Sequence, residues 1–181
     1  MTRVEQHVIE KSHPQFCAID EMALASKNLW NLANYQVRQS FIFEHTYLDN
    51  TAIFHLIKHT DAYQALPAKV ANQVLVQVHE AWKAFFEAME VYRAHPEWFR
   101  GRPGLPKYLH KTRGRNLLVF ELGCVWKAEL RVREIAVSQL GRIVETRAAA
   151  DLGAPGAHRA QGRPLCGGSG LSERGKTRRG S

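Results

Sequence analysis

An α+β fold is predicted for this chain by three observations. Apolar residues recur at spacings of three and four from about residue 19 to residue 99, as an amphipathic helix requires. From Leu117 the period changes to short β-branched or apolar runs separated by polar breaks, the pattern of strands. The last 35 residues then lose all aromatics, Ile and Val and hold 8 of the 13 glycines. Such a segment cannot offset its ordering entropy by burial, so 147–181 is predicted to be disordered.

Taken in order, Val4 to Ile9 alternates apolar and polar side chains and is predicted as a strand. A helix is predicted from about Ile19 to about Glu44, with Asp20 and Glu21 in its first turn, where the positive end of the helix dipole favours acids. Met22, Ser26, Leu29, Trp30, Ala33 and Val37 share one face. The Asp49-Asn50 pair is a cap signal, and a shorter helix follows through Ile53, Leu56 and Ile57. The third helix starts at Pro67, whose missing N–H costs nothing in a first turn. Val70, Val74, Val78, Trp82, Phe85, Met89 and Tyr92 line its apolar side, with Gln73, Gln77, Glu80, Lys83 and Glu87 opposite. His95-Pro96 ends it, because proline disfavours α geometry in the residue before it. Three such segments with short connections predict an antiparallel three-helix array.

Gly101 to Pro106 holds two prolines and two glycines in six residues, which makes it an extended linker. Leu117–Phe120, Gly123–Trp126, Glu134–Val137 and Ile143–Thr146 are predicted strands of a small sheet. The chain thus divides into an N-terminal strand segment (1–18), a helical lobe (19–99), a basic Pro/Gly linker (100–116), a stranded segment (117–146) and a tail (147–181).

The net charge of +8 is unevenly spread. Residues 1–99 are mildly acidic, whereas Arg100, Arg102, Lys107, Lys111, Arg113 and Arg115 are accompanied by no acid between 100 and 115. Trp98, Phe99 and Tyr108 interleave with these cations. Such a segment can track a nucleic-acid backbone with aromatics available for stacking; the plainer alternative is a solvated connector. Trp30, Tyr35, Trp82, Phe85 and Phe86 sit at helical spacing and are expected in the core. Tyr35 with Arg38 is a weaker candidate for an RNA contact.

Cys17, Cys124 and Cys166 form no Cys-x-x-Cys pair, so neither a disulfide framework nor a zinc ribbon is encoded. His55 and His59 stand four apart without the intervening acid or third ligand of a zinc site, and are expected on a helix surface. No acid pair, nucleophile–base set or phosphate loop is recognisable. No apolar leader or membrane-length run is present, which makes the cytoplasm the default setting.

Several stretches resemble the N-terminal part of the OrfB/TnpB family, the transposase-like, RNA-guided DNA endonucleases of bacterial insertion sequences. They are Ser26-Lys-Asn-Leu-Trp-Asn-Leu-Ala-Asn-Tyr35 with Val37-Arg-Gln39, Leu66-Pro-Ala-Lys-Val-Ala-Asn-Gln-Val-Leu75, Trp82-Lys-Ala-Phe-Phe86, Gly101-Arg-Pro-Gly-Leu-Pro-Lys-Tyr108 and Gly114-Arg-Asn-Leu-Leu-Val-Phe120. The resemblance spans roughly residues 4 to 146. It implies a three-helix recognition lobe inserted in an incomplete small β-barrel, with guide RNA or DNA as partner. Arg100, Arg102, Lys107, Tyr108, Lys111, Arg113 and Arg115 are then the expected nucleic-acid-binding residues. In the family a ribonuclease-H-like nuclease with acidic Mg²⁺ ligands and a zinc ribbon follows; no counterpart of either is found here, so neither a cofactor nor cleavage is expected of this chain.

A frameshift between about Leu140 and Arg147 is the expected origin of the tail. One choice of codons that can encode Pro164 to Leu171, read one base on, gives Pro-Tyr-Val-Val-Glu-Val-Val-Tyr, an alternating strand of the kind a shifted frame would supply. The resemblance therefore points to a truncated transposase-type protein that retains nucleic-acid binding. Alternatives are a non-catalytic regulator of transposition or a pseudogene product without function.

Overall fold

The structure is a computed structural model that describes residues 6–121, 124, 134–137 and 140–145. The predicted strand Gly123–Trp126, Cys124 apart, and the predicted disordered tail lie outside these residues, as does Cys166. Both helix and strand are present, in keeping with an α+β fold.

Helix α1 runs Phe16–Gln39, starting ahead of Ile19. The Ile19 N–H already donates to the Gln15 carbonyl at 3.0 Å, which puts Asp20 and Glu21 beyond the first turn. Asp20 therefore does not serve the helix dipole as predicted. The helix continues into a wide π turn, Ser40–Glu44, where the Ser40 hydroxyl donates to the Thr46 carbonyl at 2.9 Å. His45 ends it in the left-handed region, φ 56°.

Helix α2, Asn50–Ile57, begins where the cap signal stands: Asp49 Oδ1 accepts from the Ala52 N–H at 2.7 Å. A single turn, α3 (Asp61–Gln64), precedes the long α4, Ala68–Ala94, with Pro67 at the cap position. His95, with φ −139° and ψ 69°, breaks α4 ahead of Pro96. The predicted three-helix array is thus two long helices braced by two short ones. Eight residues of α2 are too few to match α1 or α4, and α3 supplies the remaining turn. No described helix is long and apolar enough to cross a membrane.

The core lies between α1 and α4 and is closed by α2 and α3. Leu29, Val37, Ile53, Val74, Val78 and Trp82 have no exposed surface. Burying each such side chain contributes about 1.5–3 kcal/mol. Phe41, delivered by the π turn, meets Trp82 edge-on at 5.3 Å and Phe86 at 5.6 Å. Trp30, Phe85 and Phe86 are half-buried around this cluster, whereas Tyr35 is exposed and not in the core as predicted. Cys17 is exposed and Cys124 buried, both as free thiols.

Beyond the helices, β1 (Glu134–Val137) and β2 (Gly141–Glu145) form an antiparallel hairpin, with a bulge where the register shifts between Ile135 and Ala136. Gly141 takes a positive φ of 68° at the turn, a conformation suited to a residue without Cβ. Among the described residues the sheet has these two strands alone. Of the predicted strand Val4 to Ile9, residues 4–5 lie outside the described residues; residues 6–9 are irregular, and Val8 is exposed. Leu117–Phe120 is not a strand either. Its backbone is extended, but the Leu117 carbonyl accepts from the side chains of Ser26 and Gln77 rather than from a neighbouring strand.

Candidate nucleic-acid interface

The predicted linker is a strap seated along α1. Helix α1 presents one polar stripe, Lys27, Asn31, Asn34 and Arg38, at the three- and four-residue spacing of a helix face. Each of these side chains donates to a strap carbonyl. Arg38 Nη1 and Asn34 Nδ2 both reach the Pro106 oxygen, at 2.9 and 3.1 Å. Asn31 makes a reciprocal pair with Leu109, donating to its carbonyl at 3.0 Å and accepting from its N–H at 2.9 Å. The Lys27 ammonium, nearly buried, donates to the Lys111 oxygen at 2.6 Å. The strap runs antiparallel to α1, so later strap residues meet earlier helix residues.

Asn116 anchors its far end. The Asn116 N–H donates to the Ala23 carbonyl at 3.1 Å, and its side-chain amide donates to Ser26 Oγ and Gln77 Oε1, both at 3.0 Å. Gln73 and Gln77, expected on the solvent side of α4, instead hold this end of the strap; Gln73 donates to Glu121 at 2.5 Å. Leu105, Leu118 and Phe120 pack against the core. Extended backbone without a strand partner needs side-chain partners for its polar groups, and α1 and α4 supply them.

A turn interrupts the strap at His110. Its Nδ1 accepts from the backbone N–H groups of Thr112 and Arg113, at 3.2 and 3.1 Å, and the Gly114 N–H donates to the His110 carbonyl at 3.0 Å. A Cβ at Gly114 would lie 2.5 Å from that carbonyl oxygen. It would also lie 2.9 Å from the His110 nitrogen, and these backbone atoms cannot swing aside as a flexible side chain would. Gly114→Ala is therefore expected to open the turn and lower Tm by several degrees, measured by thermal unfolding.

Between Pro106 and Lys111 α1 takes the strap's carbonyls, and the cationic side chains of the strap lie at the surface. Arg100, Arg102, Lys107, Lys111 and Arg113 are all exposed, and none pairs with an acid among the described residues. Tyr108 is 44% exposed, with the Arg38 guanidinium 5.0 Å above its ring. Trp98, 68% exposed, lies flat on His95 with ring centroids 4.1 Å apart. Phe99 instead turns edge-on to Tyr92 at 5.6 Å and is half-buried.

Arg115, predicted as part of the same binding set, is placed apart from it. Its Nε and Nη2 donate to the two carboxylate oxygens of Asp20, at 2.6 and 2.8 Å. Those hydrogen bonds, reinforced by the opposite charge, hold the Asp20 carboxyl below its ordinary range and raise Arg115 further above its own. A lowered carboxylate stabilises the fold above its ordinary pKa, and the contribution goes only as pH falls through the lowered value. The clamp is therefore closed at neutral pH and released in acid. Asp20→Asn is expected to free Arg115 to join the outer row. If so, the slope of log affinity for duplex DNA against log salt steepens by about 0.9, as read by titration at several salt concentrations.

The polar stripe of α1 is a signal that apolar periodicity does not carry. Lys27, Asn31 and Asn34 stand between Ser26 and Tyr35, but the strap they hold is remote in sequence. His55 and His59 are exposed, and no group of three His, Cys, Asp or Glu side chains gathers among the described residues. Comparison with protein-family models, with the curated proteins and with solved structures returned no match.

Proposed function

We propose that this chain grips nucleic acid, guide RNA or DNA, for an insertion-sequence system of the OrfB/TnpB type, in the cytoplasm and without cutting the strand itself. The observation that carries the reading is the strap: five exposed cations on one segment, unpaired with any acid among the described residues, on a strap whose backbone from Pro106 to Lys111 is hydrogen-bonded to α1. Exposed Trp98 and Tyr108 beside the row offer flat faces to bases. The architecture that accompanies this reading is a recognition lobe set into an incomplete small β-barrel, with the β1–β2 hairpin as one part of it.

The test is affinity for RNA and duplex DNA measured across salt. Five phosphate contacts predict a slope of about −4.5 on duplex and about −3.5 on single strands. A flat salt response removes the reading, and so does cleavage of DNA by the purified chain with Mg²⁺.

A further inference from the structure

We propose that the cavity at the start of the strap seats one unstacked nucleobase of a single-stranded nucleic acid, with Arg93 and Arg102 on its flanking phosphates. This rests on the nucleic-acid reading above and names the form of strand that the interface takes.

The cavity encloses about 500 Å³, within the size range of ligand sites. Phe41, Phe85, Phe86 and Met89 make its floor, and the strap residues 103–105 make one wall. Phe85 and Phe86 stand 5.4 Å apart and Phe41 meets both edge-on, so the floor is aromatic and already packed. Arg93 comes from the last turn of α4 and Arg102 from the strap; both are exposed, and neither pairs with an acid among the described residues.

An aromatic floor under an exposed cationic rim complements a ligand with a flat apolar face and an anionic edge. A nucleotide has both. Arg102 also belongs to the outer cationic row, so a strand lying along the strap passes the cavity mouth. A base in a duplex is stacked and paired and cannot enter without being extruded, whereas a base in a single strand is free to do so. The π turn adds to the assignment. It is what brings Phe41 into the floor, and such wide turns are frequent at functional sites.

Gly104 offers a clean test, since a Cβ added there meets nothing within 4 Å. Gly104→Leu fills the cavity mouth while leaving every charge in place. The full chain is titrated with a short oligothymidylate and with an all-abasic strand of equal length, which keeps the phosphates and lacks the bases. The wild type is expected to prefer the base-bearing strand about tenfold or more, and Gly104→Leu to bring the two affinities together with Tm unchanged. Equal binding of the two strands by the wild type overturns the proposal while leaving salt-dependent binding intact. Persistence of the preference in Gly104→Leu overturns it too, and places the stacking on Trp98 or Tyr108. If the wild type binds neither strand, the nucleic-acid reading falls first and this one with it.

Discussion

Asn34→Ala is expected to cost the fold about 2–4 kcal/mol, more than any other single polar substitution on α1. Asn34 has no exposed surface and joins the core to the strap. Its Oδ1 accepts from the Trp82 indole N–H at 3.0 Å, while its Nδ2 donates to the Pro106 carbonyl at 3.1 Å. Truncation leaves the fully buried indole N–H without an acceptor, which alone costs about 1–3 kcal/mol. It also removes one of two side-chain donors from Pro106, although Arg38 keeps its own bond at 2.9 Å. A small void adds to both effects. Asn31→Ala is the matched control. It breaks a comparable pair with Leu109, but Asn31 is half-buried and water can replace the lost partners, so about 1 kcal/mol is expected there. Urea unfolding of the two variants measures both. A loss at Asn34 below about 0.5 kcal/mol would mean that the strap is not coupled to the core through this side chain.

Neutralising Arg100, Arg102, Lys107, Lys111 and Arg113 together is expected to remove nearly all salt-dependent binding of duplex DNA with little change in stability. All five are exposed and none is used in an ion pair among the described residues, so the fold does not depend on their charge. Binding by the native chain should weaken roughly 500-fold on duplex DNA between 50 and 200 mM salt, because each phosphate neutralised releases condensed counterions. The five-fold glutamine variant should show an almost flat response over the same range. Arg115→Gln alone should leave the slope of the native chain in place, since that guanidinium is engaged with Asp20. If the five-fold variant keeps the native slope, the phosphates are held elsewhere on the molecule.

Local pattern carried much of the fold. The apolar periodicity of α4, the Asp49 cap and the proline after His95 each act within a few residues, and each stands where the sequence places it. Short-range order was less legible where it needs a partner. Val8 and Leu117 have strand-like neighbours, yet residues 6–9 and 117–120 are not strands among the described residues, and β-structure is defined by its pairing. The cations of the strap were equally plain as a cluster without acids, while their availability was not.

By itself, then, the amino-acid order determined which segments coil, where they stop and where positive charge accumulates. Only the tertiary structure decided which of those charges are free. Asp20 and Arg115 are separated by 95 positions and Arg38 and Pro106 by 68, so no local rule relates them. The reason is physical: an extended segment has no hydrogen bonds of its own, and takes its course from whatever donors the folded helices set beside it. Here α1 takes the carbonyls, Asp20 takes one guanidinium, and the remaining cations are left facing the solvent.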